Sequence, residues 1–299
     1  MKIAVIGANS YIARNLICFI RKHEDDVSFR LYDIQEDHLD ALPDYERVNT
    51  LDKEDVRKID FDVDLLYVFT GKTGTYKGFD EYDSYLQINE MSLLNILDTY
   101  REVSSKAKIV FPSTRLVYKG RSGRLKEDDE KEFKTIYAIN KYACEQYLKM
   151  YHNCFDIQYL IFRICVPYGS LIPGVSSYGT AEFMIRNACA GKDITLYGGG
   201  TVRRTLIHIE DLCNALFRGA ECESCVNDVF NIGGEDYSLK QMALLISEKY
   251  GNQVTDIEWP EQQLKIESGD TVFDSDKFDH LTGFVYHHHF KNWLNEETI

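Results

Sequence analysis

"KIAVIGANSYIA", Lys2 to Ala13, is the stretch on which the fold turns. Its first half, Lys2 to Ala8, is a short apolar run that stops around a glycine, the pattern of a strand buried on both faces. "YIARNLICFIRK", Tyr11 to Lys22, then places Ile12, Leu16, Phe19 and Ile20 on one helical face. A strand that ends at Gly7 and runs straight into a helix gathers backbone N–H groups and the positive end of the helix dipole at one point. A diphosphate can bind there. Gly7 permits the tight turn; Ser10 and Ala13, small and three residues apart, permit close approach; Tyr11 and Ile12 lie in the same turn. With a single glycine, the pattern also describes an ordinary strand–helix turn. Its place, opening the chain between a strand and a helix, favours a dinucleotide.

The reading extends outward in the same rhythm. "SFRLYDI", Ser28 to Ile34, is a second strand ending in Asp33, some twenty residues beyond the glycine turn. A carboxylate there can accept both ribose hydroxyls of an adenosine and repels a 2′-phosphate, so NAD is favoured over NADP. The alternative is a solvated Asp within the acidic "YDIQED". "VDLLYVFTG" (63–71), "AKIVFPST" (107–114) and "IQYLIFRIC" (157–165) read as further buried strands. "YLQINEMSLLNILDTYRE" (85–102) and "IYAINKYACEQYLKMY" (136–151) read as the helices between them. Alternating strands and helices give β-α-β units and a parallel sheet covered on both faces. The predicted fold is therefore α/β, a Rossmann-like doubly wound sheet over residues 1–165. After Cys165 the rhythm loosens around Pro167, Gly169, Pro173 and Gly174. Residues 166–299 are expected to form mainly a smaller α/β substrate-binding region. A strand within "NDVFNIGG" (227–234) should rejoin the large sheet, and helices are expected near Leu239–Tyr250 and Phe290–Glu296.

Composition narrows the function. The chain has 299 residues, 44% of them hydrophobic, and a formal net charge of −14. Such an acidic surface repels nucleic acid phosphates but leaves room for a small phosphorylated ligand held by a few local donors. "MKIAVIG" is interrupted too soon for a signal peptide, and no apolar run approaches a membrane span. A cytoplasmic protein without membrane contact is expected. The eight cysteines are scattered and expected to be free thiols; Cys222 and Cys225 form one C-x-x-C without a second pair for zinc. His287, His288 and His289 lie in a polar-aromatic tail with no evident acidic partner motif, so no metal site is expected.

Chemistry concentrates in "TIYAINKYACEQYL", Thr135 to Leu148, which carries Tyr137 and Lys141 at i and i+4 beside Tyr142 and Glu145. A Tyr and a Lys at that spacing share a helix face with or without chemistry. Alternatively, the ammonium stabilises a phenolate and lowers a pKa normally about 10, making the Tyr an acid and base near neutrality.

"GANSYIA", "FPSTRLVY" and "YAINK", in that order, resemble the extended short-chain dehydrogenase/reductases and, within them, the NAD-dependent epimerase/dehydratase family of nucleotide-sugar enzymes. "RICVPYG", "LYGGGTVRRTLIHIEDL" and "FNIGG" carry the resemblance over most of the chain. It implies a triad of Thr114, Tyr137 and Lys141, with Ser113 beside it. Tyr137 is then the general acid/base, Thr114 holds the same sugar oxygen, and Lys141 binds the nicotinamide ribose. The resemblance further implies cofactor contacts from Thr70, Gly71 and Lys72 and from Cys165 and Pro167. It implies substrate contacts from Ser113, Thr114 and Arg115, a diphosphate contact from Arg204, and a homodimer through the helices Tyr85–Glu102 and Tyr137–Tyr151.

The sequence also departs from that family. Ser10 and Ala13 stand where glycines are common, Val166 where an Asn often touches the substrate phosphate, and Glu267 where sugar epimerases often carry a second diphosphate-binding Arg. Thr114 is followed by Arg115 and Leu116 instead of an Asp-Glu pair, which disfavours 4,6-dehydration. The expected activity is a nucleotide-sugar epimerase, at C4, with bound NAD. The alternatives are a 4-ketosugar reductase, favoured by the short chain, and a catalytically silent cofactor-binding protein on the same fold.

Overall fold

A computed structural model describes residues 1–35, 44–175, 177 and 179–296. Seven strands form the main sheet in the order Asp228–Asn231, Tyr159–Ile164, Lys108–Thr114, Leu65–Val68, Lys2–Ile6, Ser28–Asp33 and Tyr45–Arg47. Every neighbouring pair is parallel. The chain order reverses between Lys2–Ile6 and Leu65–Val68, and ligands of such sheets bind at the carboxyl ends of the strands at that crevice.

The period of two along the central strands sorts their side chains onto two faces. Ile3, Val5, Leu65 and Tyr67 join Ile12, Leu16 and Ile20 of the first helix, and Leu212, Leu216 and Phe217 of the helix Ile209–Glu221, in one core. Ala4, Ile6, Leu66 and Val68 join Leu93, Ile96, Leu97 and Leu148 in the other. Continuous apolar strands follow from this two-sided burial.

Three elements differ from their sequence reading. The strand expected over 63–71 keeps its ladder only over Leu65–Val68, which frees Thr70 to Lys72 to form a loop at the crevice. The helix expected over 85–102 begins at Tyr82 and is interrupted by a π turn, Gln87–Met91, before continuing as Ser92–Glu102. Such turns recur at functional sites, and this one carries the buried Asn89. The helix Ile136–Phe155 outlasts its apolar pattern and stops at Asp156 in the left-handed conformation.

Val166–Tyr168, Arg203–His208 and Glu235–Ser238 build a smaller sheet. Its core holds Val166, Tyr168, Met184, Ile185, Leu206, Met242, Ile246, Phe290 and Leu294. The helix Leu239–Tyr250 starts on a Ser238/Gln241 capping box and ends at Gly251, and Phe290–Glu296 is helical. Asp228–Asn231 returns to pair with Tyr159–Ile164.

Candidate active site

The glycine turn has the shape a dinucleotide needs. Gly7 has φ +80°, and a Cβ on it would lie 2.7 Å from the Thr70 nitrogen and 2.8 Å from the Phe69 carbonyl carbon. The two strand ends therefore meet so closely that only glycine fits. The N–H groups of Gly7 and Ala8 both donate to the Tyr32 carbonyl, at 2.8 and 3.0 Å. Ser10 caps the helix Tyr11–His23, its hydroxyl accepting the Ala13 N–H. Tyr11 and Ile12 are buried, and the Tyr11 hydroxyl donates to the Gly169 carbonyl at 2.5 Å. Their side chains thus serve packing, and what they can offer a diphosphate is main-chain N–H. Asp33 sits beside this turn: Oδ2 accepts the Asn9 N–H at 2.9 Å and Oδ1 the Gln35 N–H at 3.2 Å. Each carboxylate oxygen has further acceptor capacity for a ribose hydroxyl. These residues fit NAD.

Across the crevice, a Cβ on Gly71 would lie 3.7 Å from the Lys141 Nζ and 3.3 Å from the Asn89 Oδ1. Asn89 pins the loop: it accepts the Lys72 N–H at 2.6 Å and donates to the Lys72 carbonyl at 3.1 Å. Thr70 is half-buried next to it. The Lys72 ammonium is committed elsewhere, paired with Glu81 and donating to the Ser84 hydroxyl at 2.8 Å.

Thr114 ends the strand Lys108–Thr114, and the helix that carries Tyr137 and Lys141 is bonded to that strand. Thr135 caps the helix Ile136–Phe155 by accepting the Ala138 N–H at 3.1 Å. This puts Tyr137 in the first turn, where the helix dipole favours an anion. Lys141, one turn on, is buried; its Nζ donates to the Pro112 carbonyl at 2.8 Å and lies 4.3 Å from the centre of the Phe111 ring. Burial lowers its pKa to about 8. Thr114 ends the same strand, and its hydroxyl oxygen accepts the Leu116 N–H at 3.3 Å, leaving its own O–H to donate. Tyr137 and Lys141 thus share a helix face that is fastened two residues before Thr114.

Ser113 is drawn the other way. Its hydroxyl donates to Glu145 at 2.5 Å. Glu145, fully buried, accepts from Arg163 Nε at 2.9 Å and Nη2 at 2.6 Å. Arg163 Nη1 donates to the Tyr118 hydroxyl, which donates to Asn231. Sequence reasoning missed this network. Its signal was two charges in apolar settings, Arg163 inside "LIFRIC" and Glu145 one turn beyond Lys141.

On the substrate side, Arg204 is buried and its guanidinium is already engaged. Nη2 pairs with Glu267 at 2.5 Å, and Nη1 donates to the carbonyls of Arg203 and Gly269 at 2.8 and 2.6 Å. Arg203 donates to Gln241 and the Asp236 carbonyl, so it does not join Arg204. Arg115 does come close: its Nη1 donates to Ser268 at 3.3 Å and Thr271 at 3.4 Å. Burial, then the charge of Arg204, lowers its pKa to about 10. The Cys165 thiol donates to the Thr271 carbonyl at 3.4 Å, and burial raises its pKa. The Pro167 carbonyl accepts the Ser177 hydroxyl at 2.9 Å. Arg115, Cys165 and Arg204 therefore meet around residues 267–271.

The tail histidines acquire the acidic neighbours that the sequence did not reveal. His288 lies 3.1 Å from Asp211 and 3.4 Å from Glu210, and its ring stacks on His208 at 4.2 Å between centres. The donor atoms of His208, Glu210 and His288 fall within 4.8 Å of one another. Burial lowers the His208 pKa to about 4, and its Nδ1 accepts the Glu210 N–H at 3.3 Å. The neutral ring then carries its proton on Nε2, and its one lone pair, on Nδ1, faces the Glu210 N–H.

Solved structures of similar shape include the UDP-glucuronic acid 4-epimerase of Bacillus cereus in complex with UDP-glucuronic acid and NAD. It has a TM-score of 0.84 and 22% identity, over 99% of this chain and 98% of that one. The Thermus thermophilus UDP-glucose 4-epimerase, complexed with NAD, has a TM-score of 0.83 and 19% identity over 98% and 96%. A putative UDP-glucose 4-epimerase of Methanocaldococcus jannaschii is 23% identical over 83% of this chain and 82% of its own length. The model of the NAD dependent epimerase/dehydratase family matches residues 3–233. The chain therefore belongs to the NAD dependent epimerase/dehydratase family, and its cofactor is NAD.

Proposed function

We propose that the protein is a nucleotide-diphosphate-sugar epimerase acting at C4 through a transient 4-keto sugar. The observation that carries this reading is the bond from Lys141 Nζ to the Pro112 carbonyl, which fastens the Tyr137 face of its helix beside Thr114. Bound NAD supplies a hydride acceptor and donor. The helix N-terminus and the Lys141 ammonium favour the Tyr137 phenolate, which takes the proton of the 4-hydroxyl and becomes the neutral phenol. Thr114 donates its O–H to the same oxygen, and Tyr137 returns the proton when the opposite epimer forms. Gly7, Ser10, Tyr11 and Ile12 receive the cofactor diphosphate, Asp33 its ribose, and Thr70, Gly71, Cys165 and Pro167 line its nicotinamide half. Lys72 contributes through its main chain only, since its ammonium is paired with Glu81. Arg204 binds the substrate diphosphate once Glu267 yields. The names of the UDP-sugar epimerases among the relatives support this substrate class.

The same reading makes the protein a homodimer. Leu86, Met91, Ile139 and Met150 are exposed on two neighbouring helices that Glu90 ties together through Asn140 and Tyr147. A four-helix bundle with a second copy would cover them, and light scattering giving twice the chain mass would agree. Eight free cysteines suit a reducing cytoplasm. Among the described residues no helix is long and apolar enough to cross a membrane.

Denaturing the purified protein and weighing any released nucleotide tests the reading. Retained NAD⁺ or NADH is expected, because a self-recycling epimerase keeps its cofactor. An empty protein that oxidises added NADH or NADPH with a 4-ketosugar would make it a reductase instead.

A further inference from the structure

Among the described residues Arg115 is a cation without a salt-bridge partner. It directly follows Thr114, so its guanidinium belongs to the sugar half of the site. Its hydrogen bonds reach only two neutral hydroxyls, Ser268 at 3.3 Å and Thr271 at 3.4 Å, both long for such bonds. Among the described residues no carboxylate is paired with it. Glu267, the one acid of the cluster, is held by Arg204 at 2.5 Å and by the Gly269 N–H at 2.9 Å. Arg163, fully buried behind the triad, has its own carboxylate in Glu145. Arg115 is half-buried, and a guanidinium so placed, with five donors and two long bonds to hydroxyls, has donors to give an anion.

We propose that Arg115 receives a carboxylate on the sugar ring, so that the substrate is a nucleotide-diphosphate uronic acid in preference to a neutral hexose. This rests on the epimerase reading above. In a hexuronic acid the carboxylate is borne by C5, the neighbour of C4, whose oxygen Thr114 addresses. The two side chains that would hold these adjacent groups are themselves adjacent in the chain. A planar guanidinium matches a carboxylate through two parallel hydrogen bonds. The substrate diphosphate is the other source of an oxyanion. In the reading above that diphosphate is held by Arg204, which leaves Arg115 for a second anionic group.

The test compares UDP-glucuronic acid with UDP-glucose, which share nucleotide and diphosphate and differ at C6. C4 epimerisation is followed by proton NMR and binding by calorimetry, for the NAD-loaded wild type, Arg115→Gln and Arg115→Lys. The wild type should favour UDP-glucuronic acid in kcat/KM by about thirtyfold or more, the effect of a charge-assisted pair. Arg115→Gln should erase that preference, mainly through KM and weaker binding of the uronate, while UDP-glucose changes by less than about threefold. Arg115→Lys, which keeps the charge, should retain part of the preference and decides the matter if Arg115→Gln does not fold. Equal or better use of UDP-glucose by the wild type overturns the proposal and leaves the epimerase reading standing. So does an equal loss on both substrates in Arg115→Gln, which would assign Arg115 to the diphosphate. If neither nucleotide is bound or turned over by a protein that holds NAD, the epimerase reading falls and the proposal with it.

Discussion

Two guanidinium–carboxylate pairs lie within the same molecule and are built differently. Arg163 and Glu145 are 2% and 0% exposed, and every arm of the pair is absorbed by Ser113, Tyr118 and the Glu127 carbonyl. Arg204 is equally buried at 3%, but its partner Glu267 is 19% exposed, and a further cation, Arg115, stands beside them without an acid of its own among the described residues. The first pair is closed and holds the strand Tyr159–Ile164 to the helix Ile136–Phe155. The second sits at the edge of the crevice with charge to spare. A buried charge whose bonds are all satisfied inside the fold marks structure, and one left with donors to give marks a ligand's place.

Breaking the closed pair should have the largest effect. Arg163→Met strands the Glu145 carboxylate in the core and should cost about 3–5 kcal/mol in urea unfolding. Arg204→Met, which leaves Glu267 reachable by water, should cost less than half of that while raising KM for the nucleotide sugar. Equal losses would erase the distinction between the two pairs. Tyr137→Phe should leave stability within about 0.5 kcal/mol of wild type and lower kcat by about 10²- to 10⁴-fold. A variant that keeps most of its rate would remove Tyr137 from the chemistry.

A buried histidine sharpens the contrast through pH. His208 is neutral in the fold because burial, and then His288, lower its pKa from 6.5 to about 4. The unfolded chain therefore binds more protons between those values, and stability rises with pH across that window. On acidification from pH 6.5 to 4 this group alone should remove on the order of 3 kcal/mol. His208→Asn should flatten the slope, measured by urea unfolding at several pH values. The smallest effect is expected from Glu267→Gln. The amide can still hydrogen-bond Arg204, so stability should fall by about 1 kcal/mol, and KM for a nucleotide sugar should drop as the negative charge leaves.

What could be read from the sequence was what is local. Gly7, the helix beginning at Tyr11, Asp33 and the spans Leu239–Tyr250 and Phe290–Glu296 rest on periodicity, capping and chain position, and the structure has these elements. What could not be read depends on who meets whom across the fold. Ser113 looks like a second substrate hydroxyl until Glu145, 32 residues on, claims it. Lys72 looks free until Glu81 pairs with it. The three tail histidines look partnerless because Asp211, Glu210 and Glu235 reach them from more than fifty residues away. The π turn at Gln87–Met91 has no signature in a pattern that reads as one amphipathic helix, yet its Asn89 pins the loop at Gly71.

The most direct measurement is proton NMR of the purified protein mixed with a UDP-sugar and a catalytic amount of NAD, with absorbance at 340 nm read in parallel. A C4 epimerase interconverts the two epimers to equilibrium from either side, without net NADH, and Tyr137→Phe does not. Stoichiometric consumption of NADH with a 4-ketosugar, or no interconversion of any UDP-sugar by a protein that retains NAD, would contradict it.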